Sequence, residues 1–205
     1  MATIVVPFRG TSDKRRLAPA GAETRSQLAL AMLTDVLAAC TPVGRTLLVT
    51  SRDAQPAHDL AESFGVEAVP DPGRGQGEAV AAALAVAGEG HVLIVNADLP
   101  CATSRDLFAL LGAMPEGGMA LVRAADGTTN ALALAAGWLF APLYGAGSAD
   151  RFLERARRLE VEAVEVDLPN LAGDVDSLVD LDRIVCRFGP WTEASLAAFR
   201  APLAR

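Results

Sequence analysis

Short apolar runs alternate along this chain with longer segments of helical periodicity. The strand-like runs are Thr3–Val6, Thr46–Thr50, Val66–Val69, His91–Asn96, Met119–Val122, Asn130–Leu134 and Val161–Val166. The helical patterns are Ser26–Ala39, Ala61–Phe64, Ala79–Ala87 and Asp106–Leu111, with a short helix expected after Trp191. Because strand-helix-strand units join parallel neighbours through right-handed crossovers, the pattern predicts a three-layer α/β/α, Rossmann-like fold with a mostly parallel, doubly wound sheet.

Length and charge limit the architecture and the partners. The chain of 205 residues is long enough for one α/β domain and too short for two with a linker, which predicts a single domain over residues 1–205. The net charge of −7 argues against broad binding to nucleic acid or anionic lipid. The apolar stretches are shorter than a membrane span, and the first residues indicate a strand rather than a signal peptide. We therefore expect a cytoplasmic protein with no membrane partner.

One carboxylate stands at the end of a predicted buried strand. The apolar run His91–Val95 leads to Asp98 and a proline, and ligands bind at the carboxyl ends of strands in open α/β sheets. A carboxylate in such a crevice suits Mg²⁺ together with substrate phosphates. A second carboxylate could come from the distant pair Asp174 and Asp176. Because Asp176 lies where a helix N-cap is wanted, the sequence favours Asp174 as the metal ligand and Asp176 as a cap or supporting group.

A basic loop follows the first predicted strand. Pro7 is followed by Arg9, Lys14 and Arg16, with small residues between them. Such a loop can surround polyphosphate oxygens with backbone N–H groups and cations, although the GxxxxGK[ST] pattern of a P-loop is absent. A solvated basic surface loop is the alternative interpretation.

Three glycine-containing loops are further candidates. Asp71–Ala79 opens an Ala-rich helix, whose N-terminus favours anions. Gly127–Leu132 and Gly145–Ser148 offer backbone N–H groups and small polar side chains, which suit a carboxylate or phosphate of a second substrate. The turn-like segment Ala124–Thr129 and the Gly-rich loop Leu143–Ser148 look like insertions that complete a site. Each loop alone could equally be an ordinary turn.

The motifs that the chain lacks restrict the chemistry. There is no GxSxG, no GxGxxG after the first strand and no Ser-His-Asp order, and the three cysteines and two histidines have no metal-ligand spacing. A reaction whose nucleophile is a substrate phosphate needs no strong base from the protein, because that phosphate is largely dianionic near neutral pH. Positioning and metal electrostatics can then supply the rate.

Taken in order, these segments resemble the 2-phospho-L-lactate guanylyltransferase family, including its bacterial phosphoenolpyruvate guanylyltransferase members of coenzyme F420 biosynthesis. The resemblance extends over nearly the whole chain. The matching segments are Lys14–Pro19, Leu28–Leu37, Asp98–Pro100, Gly127–Leu132, Gly145–Ser148 and Asp174–Asp176. It implies a nucleotidyltransferase fold akin to that of the molybdenum-cofactor guanylyltransferases. The implied reaction is attack of the phosphate of phosphoenolpyruvate or 2-phospho-L-lactate on the α-phosphorus of GTP, with release of pyrophosphate.

The resemblance also implies roles for individual residues. Mg²⁺ would be the cofactor, bound by Asp98 and Asp174. Lys14 and Arg16 would hold the triphosphate, and with Asp98 they form the candidate catalytic group. The small phosphorylated carboxylic acid would be seated by Asn130, Gly145 and Ser148. The full set of candidate nucleotide-binding residues is Pro7, Arg9, Lys14, Arg16, Gly75, Gly77, Glu78 and Asp98.

The chain departs from the family pattern at two places. Members commonly have Val-Lys where this chain has Phe8-Arg9, and Leu-Asn where it has Gln76-Gly77 followed by Glu78. The Glu78 carboxylate could accept hydrogen bonds from a guanine edge or a ribose hydroxyl. Two alternative functions stay open: a nucleotidyltransferase for another acceptor (3-phosphoglycerate, a sugar phosphate or molybdopterin), and a non-catalytic nucleotide-binding relative. The oligomeric state is also open, and a homodimer is one option.

Overall fold

A computed structural model describes residues 2–10 and 22–200 of the chain, and the strands of this part form one seven-stranded sheet. The strands are β1 (Ala2–Phe8), β2 (Gly44–Thr50), β3 (Glu67–Pro70), β4 (Val92–Val95), β5 (Met119–Arg123), β6 (Thr129–Leu134) and β7 (Ala163–Glu165). Their order across the sheet is β3-β2-β1-β4-β6-β5-β7.

Eight α-helices lie between and after these strands in the described part of the chain. They are α1 (Ala22–Cys40), α2 (Gln55–Ser63), α3 (Gln76–Ala87), α4 (Ser104–Ala113), α5 (Ser148–Arg158), α6 (Pro169–Ala172), α7 (Leu178–Arg183) and α8 (Pro190–Arg200). Helix α2 begins six residues before the predicted Ala61, because a proline in its first turn pre-organises the backbone there. Within the described ranges, no helix is both long and apolar enough to cross a membrane.

The sheet is mostly parallel, which confirms the predicted fold class. β1 pairs in parallel with β2 and β4, β2 with β3, and β5 with β7. β6 alone among these strands runs antiparallel to both of its neighbours. The connection from β5 to β6 is too short for a parallel crossover, and it closes as a hairpin with Gly127 at a φ of +83°. The turn at residues 124–128, expected to be an insertion, is therefore the turn of this hairpin.

The central strands of the sheet are buried on both faces. Ile4 and Val6 of β1 pack into one apolar layer with α1, α2 and α4, whereas Val5 packs into a second layer with α3 and α5. This arrangement explains the continuous apolar runs, because a strand covered on both faces needs no polar alternation. A smaller apolar cluster joins α1 to α7 and α8, and Val175 is fully buried within it.

The reversed direction of β6 brings its N-terminal end to the edge of the sheet where β1 and β4 end. The backbone N–H of Asn96, just after β4, donates to the carbonyl of Asn130 at 3.0 Å. Chain segments after β1, after β4 and at the start of β6 therefore meet in one crevice.

Candidate active site

Three carboxylates form a cluster in this crevice. Asp98, Asp174 and Asp176 each place one carboxylate oxygen within 4.8 Å of the others, and all three side chains are half-buried. The backbone joins the two contributing segments, because the N–H of Val175 donates to the carbonyl of Asp98 at 3.1 Å. Burial of Val175 holds this segment in place, with an aspartate on either side of it.

Mutual repulsion and burial raise the energy of the charged state of this cluster. Burial and the nearby Asp98 charge raise the pKa of Asp174 to about 6, although the Asn130 amide works in the opposite direction by donating a hydrogen bond. A bound cation would relieve this repulsion. Carboxylate oxygens are the ligands that hard divalent cations prefer, so the three residues could together hold such an ion.

The prediction that Asp176 caps the following helix is wrong. Ser177 is the N-cap of α7, and Asp180 completes a capping box with it. The Asp180 carboxylate accepts hydrogen bonds from the Ser177 backbone N–H and hydroxyl at 2.7 and 2.8 Å, and from the Asp176 N–H at 3.1 Å. A serine followed three residues later by an acidic residue was the sequence signal for this cap. The structure instead places the Asp176 carboxylate beside Asp98 and Asp174.

A cavity of about 200 Å³ lies directly beside the carboxylates. Its lining includes the predicted site residues Pro7, Arg9 and Asp98, together with Gln76 and Asp176. The carboxylates and a guanidinium therefore face the same space. The predicted triphosphate-binding residues Lys14 and Arg16 lie outside the described residues.

A neighbouring pocket brings together residues predicted for two different substrates. Gly75, Gly77 and Glu78 from the start of α3 line it, as does Gly145, and Arg9 lines both pockets. Glu78 forms an ion pair with Arg74 at 3.5 Å, with both side chains largely exposed. Gly77 is required by packing, because a Cβ atom at this position would lie 2.5 Å from the Cβ of Pro142. The pocket thus adjoins the start of α3, where nucleotide-binding residues were predicted, and the loop of Gly145, where an acceptor-binding residue was predicted.

The other two predicted acceptor residues are engaged inside the protein. Ser148 is fully buried at the start of α5, and its hydroxyl donates to the Thr129 hydroxyl at 3.1 Å. Asn130 is 1% exposed, and its amide donates to the carbonyl of Ala172 at 3.1 Å and to Asp174 at 3.3 Å. Both therefore support the loops around the carboxylate cluster.

A larger cavity of about 600 Å³ lies on the other side of the cluster. Asp174 and Asp176 line it, and Asp126, Asp167 and Asp180 add further carboxylates. Arg183 is the one cationic side chain among its described lining residues. This acidic wall disfavours an anionic ligand, so phosphate substrates are better suited to the side on which Arg9 and Arg74 lie.

Two carboxamides of the site, Asn96 after β4 and Gln76 at the start of α3, had no role predicted from the sequence. Gln76 donates to the Asn96 side chain at 2.6 Å, and Asn96 in turn donates to the carbonyl of Thr129 at 3.2 Å. The sequence contained a signal for Asn96, because this residue comes directly after the apolar run of β4 and two residues before Asp98.

Solved structures with the same architecture define the fold class of this chain. The chain superimposes with a TM-score of 0.77 on a protein from Desulfovibrio desulfuricans G20 assigned to the nucleotide-diphospho-sugar transferases, at 18% identity, covering 98% of this chain and 95% of that one. A nucleotidyl transferase from a Methanothermobacter species gives a TM-score of 0.70 at 18% identity, covering 97% and 99% of the two chains. The fold is that of the nucleotidyltransferases.

The sequence places the chain more narrowly within this class. Residues 2–193 match the family described as guanylyl transferase CofC like, and the chain belongs to this family. Phosphoenolpyruvate guanylyltransferase from Nocardia farcinica is 37% identical over 178 residues, covering 80% of this chain and 75% of that protein. The Sphaerobacter thermophilus enzyme of the same name is 33% identical over 193 residues, covering 90% and 93%. The family predicted from the sequence motifs is confirmed.

Proposed function

We propose that this protein transfers GMP from GTP to the phosphate of phosphoenolpyruvate in coenzyme F420 biosynthesis. In this reaction an oxygen of the acceptor phosphate bonds to the α-phosphorus of GTP. The bond from the α-phosphorus to the oxygen of the β-phosphate breaks, and pyrophosphate leaves. The acceptor assignment rests on the names of the relatives, and 2-phospho-L-lactate is the acceptor that must be tested against it.

The observation that carries the proposal is the position of the carboxylate cluster beside the cavity. Asp98 and Asp176 line a cavity that Arg9 also lines, so one site contains both negative and positive groups. A phosphate-transfer site needs this combination, because the substrates bring several negative charges close together. Lys14 and Arg16, which follow β1 in the sequence, would add positive charge.

The cluster fits Mg²⁺ as a cofactor. Asp98, Asp174 and Asp176 are the residues that would hold it, since their oxygens converge. Burial, and secondarily the Asp98 charge, raise the pKa of Asp174, and a bound cation would stabilise its ionised form. Bound there, Mg²⁺ would supply the positive charge that offsets the phosphate oxygens of both substrates. Asp176 would then be a metal ligand beside Asp174, whereas the sequence favoured Asp174 alone of the two.

The protein's own groups would act by binding and orientation. Arg9 would contact phosphate oxygens of the nucleotide, with the fixed planar geometry of a guanidinium in place of the family's lysine. The loop containing Gly145 would offer backbone N–H groups to the acceptor. No general base is required, because the attacking phosphate oxygen is already ionised near neutral pH.

Pyrophosphate release tests the proposal. The wild-type protein should release pyrophosphate from GTP and Mg²⁺ with phosphoenolpyruvate, and the panel should include 2-phospho-L-lactate and 3-phosphoglycerate, with ATP in place of GTP as the nucleotide control. Asp98→Asn should abolish turnover without unfolding the protein. Asp59→Asn, on the exposed face of α2, is the matched control and should retain the wild-type rate. A near-wild-type rate in Asp98→Asn would refute the assignment of the carboxylate cluster.

A further inference from the structure

Three carboxamide side chains form a continuous line of hydrogen bonds through the crevice. The Gln76 amide donates to Asn96 Oδ1 at 2.6 Å, and the Asn96 amide is 3.5 Å from Asn130 Oδ1, at the long end of a hydrogen bond. The Asn130 amide donates to Asp174 Oδ1 at 3.3 Å. The line therefore connects the first residue of α3 with a carboxylate of the cluster.

The direction of this line is set by backbone carbonyls, which can only accept. Asn96 must present its amide nitrogen to the carbonyl of Thr129 at 3.2 Å, so its oxygen faces Gln76. Asn130 must present its nitrogen to the carbonyl of Ala172 at 3.1 Å, so its oxygen faces Asn96. Flipping either amide would place two acceptors or two donors against each other. Every N–H along the line consequently points toward Asp174.

We infer that Gln76, Asn96 and Asn130 are positioning residues that set the orientation of Asp174 for metal binding, with the effect of each declining with distance from the carboxylate. This inference rests on the proposed function, because it takes the carboxylate cluster as the metal site. Residues that hydrogen-bond to metal ligands typically change metal affinity 10- to 100-fold when removed. Hydrogen bonds in a chain also polarise one another, so a distant member contributes less but measurably.

Gln76 lies at the end of the line that is farthest from Asp174, beside the predicted nucleotide-binding residues. It lines both the cavity beside the carboxylates and the pocket formed by the start of α3. A nucleotide that contacts Gln76 would change the hydrogen bonds that lead from Gln76 to Asp174. Because coupling between two binding sites is reciprocal, a bound metal would also change the affinity for the nucleotide. Gln76, which stands where the family commonly has leucine, therefore connects the two halves of the site in this chain.

Mn²⁺ binding to the full chain, without nucleotide, tests the inference independently of turnover. Free Mn²⁺ is followed by electron paramagnetic resonance during titration of the wild type and of single variants. Asn130→Ala should bind Mn²⁺ about 10- to 100-fold more weakly. Gln76→Leu should bind about threefold more weakly, which corresponds to a coupling of roughly 0.6 kcal/mol, and Asn96→Ala should lie between the two.

Non-additivity distinguishes positioning from general destabilisation. In the double variant Gln76→Leu with Asn130→Ala, the Gln76 substitution should add nothing, because the line is already interrupted at Asn130. Gln55→Leu is the matched control: its amide donates to Asp59 on the surface of α2, and the substitution should leave Mn²⁺ binding unchanged. If Asn130→Ala does not fold, Asn96→Ala replaces it in the comparison of the two single variants with the double variant.

The outcomes separate this inference from the proposed function. Wild-type affinity in Gln76→Leu, or full additivity in the double variant, would overturn the positioning role while leaving the metal site intact. Absence of Mn²⁺ binding to the wild type would overturn both the metal site and the positioning role. Graded weakening from Gln76 to Asn130 with loss of additivity is the result that we expect.

Discussion

The backbone N–H of Thr192 donates a 2.8 Å hydrogen bond to the carboxylate of Asp35, although 157 positions separate the two residues. The Trp191 N–H donates to the same carboxylate at 3.2 Å. Asp35 of α1, only 4% exposed, thus caps the N-terminus of α8 from another helix. The N–H of Gly189 donates to the carbonyl of Pro100 at 2.7 Å. This bond connects the N-terminus of α8 to the segment after β4 that contains Asp98.

Removing this cap should destabilise the protein. Asp35→Ala leaves two backbone N–H groups without their acceptor, and we expect a loss of about 2 kcal/mol in the free energy of unfolding. Asp35→Asn keeps one accepting oxygen, so its loss should be about half as large. Urea denaturation measures both. A change below about 0.5 kcal/mol in Asp35→Ala would show that the cap does not support α8.

Two glycine-to-alanine substitutions in helices should have opposite signs. At Gly77 the new methyl group would meet Pro142 at 2.5 Å, which predicts a loss of about 1–3 kcal/mol through overpacking. At Gly112, exposed near the end of α4, no atom outside its own helix lies within 4 Å of the new methyl, and the higher helix propensity of alanine should add about 0.5 kcal/mol. Thermal unfolding of the two variants compares them directly, and equal signs would contradict the packing argument.

The raised pKa of Asp174 predicts a pH dependence of the metal-free protein. The folded state retains this proton up to about pH 6, whereas the unfolded chain releases it near the ordinary value of 3.8. Between these values the folded state binds more protons, so the free energy of unfolding falls as pH rises through this window. Asp174→Asn cannot ionise at this position, so its free energy of unfolding should not show this fall with rising pH.

Melting temperatures measured in the presence of EDTA test the predicted direction of this pH dependence. Asp174→Asn should melt above the wild type at about pH 8. The difference should shrink as the pH falls below about 4, because the wild-type carboxyl then becomes protonated in the unfolded chain as well as in the folded state. Added Mg²⁺ should raise the melting temperature of the wild type at the higher pH and leave the variant much less affected. A variant that melts below the wild type at both pH values would contradict the assignment.

Arg151 holds the loop that precedes α5. Its guanidinium donates to the carbonyl of Leu143 at 2.7 and 3.1 Å, to that of Tyr144 at 3.2 Å, and to that of Ala146. A lysine ammonium cannot reproduce this planar set of donors, so Arg151→Lys should loosen the loop that contains Gly145.

We expect Arg151→Lys to raise KM for the phosphorylated acid about fivefold, corresponding to about 1 kcal/mol, and to change KM for GTP less. Steady-state kinetics with each substrate varied in turn measures the two values. Arg157→Lys on the same helix, where the side chain forms an exposed ion pair with Glu154, is the control and should behave as wild type. An unchanged KM for the acid in Arg151→Lys would show that the loop does not bind it.

Most of the fold follows from the sequence because buried parallel strands need continuous apolar runs. β1 and β4 were identified from such runs to within a residue or two of their observed ends. The reversal of β6 was missed, although the few residues between Val122 and Asn130 could not have held a crossover helix. The length of this connection therefore carries the information that β6 is antiparallel to β5.

The site was less predictable, because its contacts join distant segments. A strand tip indicated Asp98, and an Asp-x-Asp pattern indicated Asp174, but only the tertiary hydrogen bond from Val175 to Asp98 brings them together. Gln76 and Asn130 could not be connected from sequence, because their link through Asn96 depends on three elements meeting at one edge of the sheet.

The most direct test of the account follows the acceptor phosphate itself. The protein is incubated with GTP, Mg²⁺ and phosphoenolpyruvate whose phosphate oxygens carry ¹⁸O, and the products are identified by mass spectrometry. We expect a product in which GMP is joined to the acceptor phosphate with all of the labelled oxygens retained, together with unlabelled pyrophosphate. Absence of this product, or ¹⁸O in the pyrophosphate, would contradict attack of the acceptor phosphate on the α-phosphorus of GTP.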